Sequence, residues 1–173
     1  MTRQPLIASL LHEEHVQTIS ALQRLEEFLM GQGGKRPPEL KRPENREVVG
    51  GITAGIAAEV QRHFGFEETY LFPLLAEQGQ MGMVGMLAGE HQVILPLASG
   101  LARRAEAAIN AGAFTETDWA AFHGDGLDLC EREIFHIQKE EMGLLGAIAA
   151  FVDNESDERL SALYSQMVAA TAE

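Results

Sequence analysis

The stretch HFGFEETYLFPLL at residues 63–75 decides how this chain is read, because HIQKEEMGLLGAI at residues 136–148 repeats its frame. Both contain HxxxEExxL. Residues four apart on a helix project from one face, so His63 pairs with Glu67 and His136 with Glu140. One HxxxE means little in a chain with 26 acidic residues. Two copies in matching frames carry a signal. A second echo lies upstream, where Glu14-His15 precedes His63 by 48 residues and Glu90-His91 precedes His136 by 45. The chain reads as two helical hairpins, each giving one histidine and then one His/Glu pair. Such internal similarity points to a pseudo-twofold bundle.

Working outward, nearly every ordered stretch has helical period. Leu11, His15, Ile19, Leu22 and Leu29 form a stripe over Leu6 to Leu29. A Gly/Pro-rich break follows, from Gly31 to Pro43. Helical pattern resumes near Glu47 and runs to about Glu77, and a short turn spans Gln78 to Gly82. A third helix is expected from about Met83 to Ala111, bent at Pro96. Thr115 to Asp118 reads as a capping box for a fourth helix ending near Val152, although Gly124 and Gly126 weaken its first turns. Ser156 is expected to cap a fifth helix ending near Ala170. The expected fold is all-α. It is an up-down antiparallel four-helix bundle over about residues 5–152, with a short C-terminal helix over about 156–170, all in one domain of residues 1–173.

The length of 173 residues fits one domain with a full core. Thirteen basic against 26 acidic residues give a formal charge of −13. That argues against nucleic acid or an anionic membrane as partner, since both require basic patches. The single cysteine, Cys130, excludes an intramolecular disulfide and a cysteine-based zinc or iron–sulfur site. The N-terminal MTRQPLIASLLHEEH has too short an apolar run for a signal peptide. Met81–Gly89 is too short and glycine-rich to span a bilayer. The expectation is a soluble, cytoplasmic protein.

The histidines fall inside apolar stripes. His91 lies with Val84, Leu87, Ile94, Leu95 and Ala98, His63 with Ile52, Ile56 and Leu74, and His136 with Leu129, Leu144 and Ala147. Burying four imidazoles and two carboxylates without partners costs roughly 1–3 kcal/mol each. A metal pair relieves all six groups at once. A lone core histidine is more often hydrogen-bonded than metal-bound, and a buried His–Glu pair can be a plain ion pair. The joint pattern favours metal. Its nitrogen and oxygen donors suit iron or manganese, and less selectively zinc.

Several neighbours keep two readings. His12 is an extra ligand or supporting donor, or an exposed histidine at the bundle end. Glu59 and Glu133 orient ligands, or belong to a solvated face. Glu133 with His136 also makes an ExxH of the ferritin type, but no second copy stands at a comparable place. Tyr70 returns to the face of His63 as a hydrogen-bond or electron donor, or as a packing residue. His123 reads as surface, Cys130 as a buried small residue, and Met81, Met83 and Met86 as core and turn filler.

The EH at 14–15, the HxxxEE at 63–68 with LFP at 71–73, the EH at 90–91 and the HxxxEE at 136–141 together resemble the hemerythrin-like, or HHE cation-binding, family. The resemblance covers about Leu6 to Phe151. It implies an up-down four-helix bundle with a non-haem di-iron centre. The ligands it implies are His15, His63, His91 and His136, with Glu67 and Glu140 as bridging carboxylates. The oxygen-carrying members have HxxxH in the third helix, whereas here Leu95 stands four residues after His91. Their fourth-helix aspartate lies five residues after the histidine, whereas here Glu140 lies four after His136. The chain is closer to bacterial members with four histidines and two glutamates, which leave an extra coordination position. Three classes of function follow from the resemblance. One is a protein that binds or senses oxygen or nitric oxide, the second an enzyme acting on peroxide or nitric oxide, and the third an iron store or donor. The first is the reading favoured here, and the sequence names no protein partner.

Overall fold

The computed structural model describes residues 5–171, which form helices and their connections with no strand. Helix α1 is Leu6–Gln32. Helix α2 spans residues 43–77. It is α-helical over Pro43–Arg46, Thr53–Phe66 and Phe72–Glu77, and π-helical over Glu47–Ile52 and Glu67–Leu71. Helix α3 is Met81–Ala111 and runs through Pro96. Helix α4 spans residues 116–151, with a π-helical segment at Glu140–Leu144. Helix α5 is Asn154–Thr171. The fold class is the expected one, an all-α helical bundle followed by a C-terminal helix. No helix among the described residues is long and apolar enough to cross a membrane.

Local chemistry sets the ends. Pro43 occupies the first turn of α2, where its missing N–H would have no partner anyway. Gly79 and Gly112, both at φ +82°, close the short connections on either side of α3 in a conformation that disfavours a side chain. Thr115 Oγ1 accepts the Asp118 N–H at 3.0 Å, which makes Thr115 the expected N-cap, and donates to Asp118 Oδ2 at 2.7 Å in place of a capping box's return bond to the backbone. Helix α5 corrects the expectation. Its cap is Asp153, whose Oδ1 accepts the Ser156 N–H at 2.8 Å, and Ser156 lies inside the first turn.

Two compact units divide the chain, with boundaries that fall inside the long helices. One comprises residues up to 17, residues 61–92 and residues from 135; the other comprises 18–60 and 93–134. The second unit is closed by Trp119, which packs edge-on against Phe28 and Phe114 and donates its indole N–H to the Gly33 carbonyl at 2.8 Å. Gly126 lies within it as well. A Cβ there would stand 2.6 Å from Leu29 Cδ1, so the glycine that weakened the helix reading is a packing site. The first unit has a core of Ile7, Leu11, Phe66, Leu71, Phe72, Leu75, Leu87, Leu144, Ile148, Leu160 and Tyr164. It also holds the four histidines and two glutamates singled out by the repeat.

The two π-helical segments beginning at Glu67 and Glu140 set the register of that core. The Phe72 N–H reaches back to the Glu67 carbonyl, and the Leu145 N–H to the Glu140 carbonyl. Residues 63, 67, 71 and 75 are all buried, as are 136, 140, 144 and 148. Each four-residue step around a regular α-helix drifts by about 40°, so three steps drift by about 120°. One extra residue in a π turn takes back about 100° and returns the row to one face. This rotation corrects the expected stripes. Leu75 is fully buried where Leu74 was expected, and Ile148 is more deeply buried than Ala147. Met81 and Met86 are exposed, and of the three methionines only Met83 packs against this core.

Candidate metal centre

Helix α1 supplies His15, α2 supplies His63 and Glu67, α3 supplies His91, and α4 supplies His136 and Glu140. All six side chains are buried, and both glutamates are 0% exposed. The Nε2 atoms of His15 and His63 stand 3.4 Å apart, and those of His91 and His136 stand 3.1 Å apart. Each carboxylate divides its oxygens between the two histidine pairs. Glu67 Oε1 lies 3.3 Å from His63 Nε2, and its Oε2 lies 3.4 Å from His91 Nε2. Glu140 Oε1 lies 2.8 Å from His136 Nε2, and its Oε2 lies 3.1 Å from His15 Nε2. Donor atoms of Glu67, His91, His136 and Glu140 all fall within 4.8 Å of one another, as do those of His15, His63 and Glu140.

Four further carboxylates hold the outer nitrogens. His15 Nδ1 donates to Glu141 at 2.6 Å, His63 Nδ1 to Glu14 at 3.0 Å, His91 Nδ1 to Glu68 at 2.8 Å, and His136 Nδ1 to Glu90 at 2.9 Å. A carboxylate accepts only, so each Nδ1 carries the proton and each Nε2 faces inward. The pattern obeys the sequence repeat. The glutamate of each EH grips the histidine of its own HxxxEE, and the last glutamate of each HxxxEE grips the EH histidine of the other hairpin. Sequence reasoning missed all four as site residues, although they are the remaining letters of the repeated motifs. Arg62 braces Glu14 at 2.7 Å, and Lys139 pairs with Glu90.

The inner groups fit a cation. Both oxygens of Glu67 and of Glu140 are buried without a hydrogen bond, and the nearest imidazole nitrogens are Nε2 atoms whose rings carry their proton on Nδ1. Ionised carboxylates so placed cost several kcal/mol each unless countered by positive charge. Two inward lone pairs at 3.1–3.4 Å also repel unless something positive lies between them. Two nitrogens held about 2.1 Å from one ion, at angles of about 95–110°, stand about 3.1–3.4 Å apart. In the metal-free protein, protons take the place of that charge. Burial pushes the His91 imidazole down, but Glu140, Glu67 and Glu68 outweigh it and raise its pKa to about 9. Burial likewise opposes, and the carboxylates reverse, the shift at His63, which is raised well above its ordinary value. Glu140 is held well below the carboxylate range by His136, His15, His63 and His91 despite its burial.

A comparison with known families matches residues 6–148 to the hemerythrin HHE cation-binding domain. The chain belongs to that family. No curated protein and no solved structure matches it. The HHE stretch contains all six inner residues and all four outer carboxylates, so the His/Glu cluster able to hold metal lies wholly inside the family's domain.

The HHE match ends before α5, yet α5 reaches the cluster. Tyr164 is 2% exposed and its hydroxyl lies 3.4 Å from His63 Nδ1. Tyr70, the tyrosine considered from the sequence, is half-exposed and packs on Phe66. No periodicity links residue 164 to residue 63, so nothing in the sequence pointed to Tyr164. His12 stays at the exposed edge, where its Nδ1 meets Glu141 at 2.9 Å, the carboxylate that also holds His15. Glu133 is buried and Glu59 half-buried, and neither is grouped with the cluster. His123 is not a surface residue; it is half-buried, with Nε2 donating to the Leu29 carbonyl at 3.0 Å. Cys130 is buried as expected, and that burial pushes its thiol up to about 12.

Proposed function

We propose that this chain is a non-haem di-iron protein that binds a small diatomic ligand, oxygen or nitric oxide, in the cytoplasm. In this reading His15 and His63 would hold one ion and His91 and His136 the other, with Glu67 and Glu140 offering carboxylate oxygens to both. The observation that carries it is the set of four inward Nε2 atoms around two carboxylates whose oxygens accept no hydrogen bond. Mixed nitrogen and oxygen donors of this kind favour iron, with manganese or zinc as competitors. Bound iron would supply redox electrons and coordination positions for an exogenous ligand.

The protein's own contribution is orientation and exclusion. The four outer carboxylates fix the histidine tautomers before any ligand arrives. Each half would offer two imidazoles and two carboxylate oxygens, fewer donors than a six-coordinate ion takes up. The surroundings are aromatic. Phe64 stacks on His91 at 3.6 Å and stands edge-on to His136 at 5.2 Å, and Phe72 lies 5.4 Å from His91. Such walls admit a small uncharged ligand and offer little to a larger polar substrate. The lone buried cysteine and the acidic surface fit a cytoplasmic protein.

The test is spectroscopic. Reduced, iron-loaded protein mixed anaerobically with nitric oxide, and separately with oxygen, should show new visible absorption. It should revert when the gas is removed. Irreversible oxidation accompanied by turnover of added peroxide would instead make the protein an enzyme.

A further inference from the structure

We propose that Tyr164 is a positioning residue of the metal centre, its hydroxyl fixing the Glu14 carboxylate and through it the ring of His63. The inference rests on the metal reading above and extends the site to α5, outside the stretch that defines the family domain.

The geometry places this phenol in a continuous polar chain. The His63 Nδ1–H points to Glu14 Oε1 at 3.0 Å, and Glu14 Oε2 accepts from Arg62 Nη2 at 2.7 Å. The Tyr164 hydroxyl sits 3.4 Å from the same Nδ1, and Tyr164 is among the groups that hold the Glu14 carboxyl below its ordinary value. A buried phenol oxygen demands such a partner, and a carboxylate already held by an imidazole and a guanidinium becomes more rigid with a third donor. The ring is fixed as well. It stands edge-on to His63 at 6.4 Å and to Phe66 at 4.7 Å.

Helix α5 is itself pinned. Asp157, Ser161 and Tyr164 share one buried face. The Asp157 carboxylate accepts the Leu6 and Ile7 N–H groups at 2.8 and 2.9 Å, and Arg62 Nη1 donates to Thr171 Oγ1 at 3.1 Å. Arg62 therefore touches both Glu14 and the last turn of α5. The other hairpin braces its carboxylate differently, with Lys139 on Glu90, whose side chain is 26% exposed against 9% for Glu14. The two halves of the pseudo-twofold repeat are thus held by different chemistry, and α5 makes the difference.

The test uses the full chain loaded with cobalt(II) and proton NMR. Each coordinated histidine should give one exchangeable, hyperfine-shifted Nδ1–H line, four in all. Tyr164→Phe keeps the ring and removes only the hydroxyl. The expected result is that two cobalt ions still bind while one line of the four exchanges with solvent about tenfold faster, the scale of losing one hydrogen bond. Lys139→Gln should move a different line. Four unchanged lines, or four that accelerate together as in a general loosening, would overturn the proposal while leaving the metal reading intact. No shifted line in the wild type would overturn both. If Tyr164→Phe does not fold, the wild type decides. One shifted line must show cross-relaxation with a tyrosine hydroxyl or ring proton, and its absence overturns the proposal.

Discussion

At the residue scale, each imidazole of the centre divides two tasks between its two nitrogens. The inner nitrogen faces the carboxylates Glu67 and Glu140, and the outer one gives its proton to a second carboxylate. Glu141 serves His12 and His15 together, so Glu141→Gln removes the charge on which both depend. The expected loss is roughly 10–100-fold in metal affinity with the fold unchanged, measured by competition with a chelator. Unchanged affinity would remove the outer carboxylates from the account. The metal-free protein should also respond to pH in a defined way. His91, raised to about 9, contributes stability that is full below about pH 6.5 and is lost as pH rises toward 9. Glu14 behaves oppositely. Burial would raise its pKa, but His63, Tyr164 and Arg62 lower it to about 2, so its contribution is present above about pH 4.5 and lost on acidification toward 2. Urea midpoints of metal-free protein should therefore fall both above pH 7 and below pH 4. A midpoint flat to pH 9 would contradict the charged state assigned to His91. The six inner residues were legible because repeated spacing marks them. The outer four were not, because a carboxylate's partner on another helix leaves no trace in spacing.

At the element scale, the helices and the N-cap at Thr115 were legible from periodicity and turn residues. The π-helical segments were not read, because no residue preference encodes an i→i+5 bond. Their trace is the unbroken four-residue spacing at 63, 67, 71 and 75 and at 136, 140, 144 and 148, which a regular α-helix could not keep on one face. Helix α5 was foreseen as an element but not as a part of the site. Its Asp157 caps the first turn of α1 across 150 residues of sequence. Asp157→Ala should cost about 0.5–2 kcal/mol, read as a lower urea midpoint with an unchanged slope. An unchanged midpoint would mean that α5 is not anchored through this carboxylate.

At the scale of the whole molecule, the repeat in sequence becomes a repeat in chemistry. Each hairpin supplies an inner histidine pair, one inner glutamate and two outer carboxylates, one of which crosses to the other hairpin. Neither hairpin alone can place its EH histidine, since Glu68 holds His91 and Glu141 holds His15. The centre is therefore a property of the assembled chain, and the metal should bind as a pair. Metal analysis of protein grown with iron tests this most directly, with the wild type beside a His63→Ala/His136→Ala double variant. The account predicts two irons per wild-type chain and their loss from the variant. Fewer than one metal in the wild type, or a double variant that keeps its full iron, would contradict it.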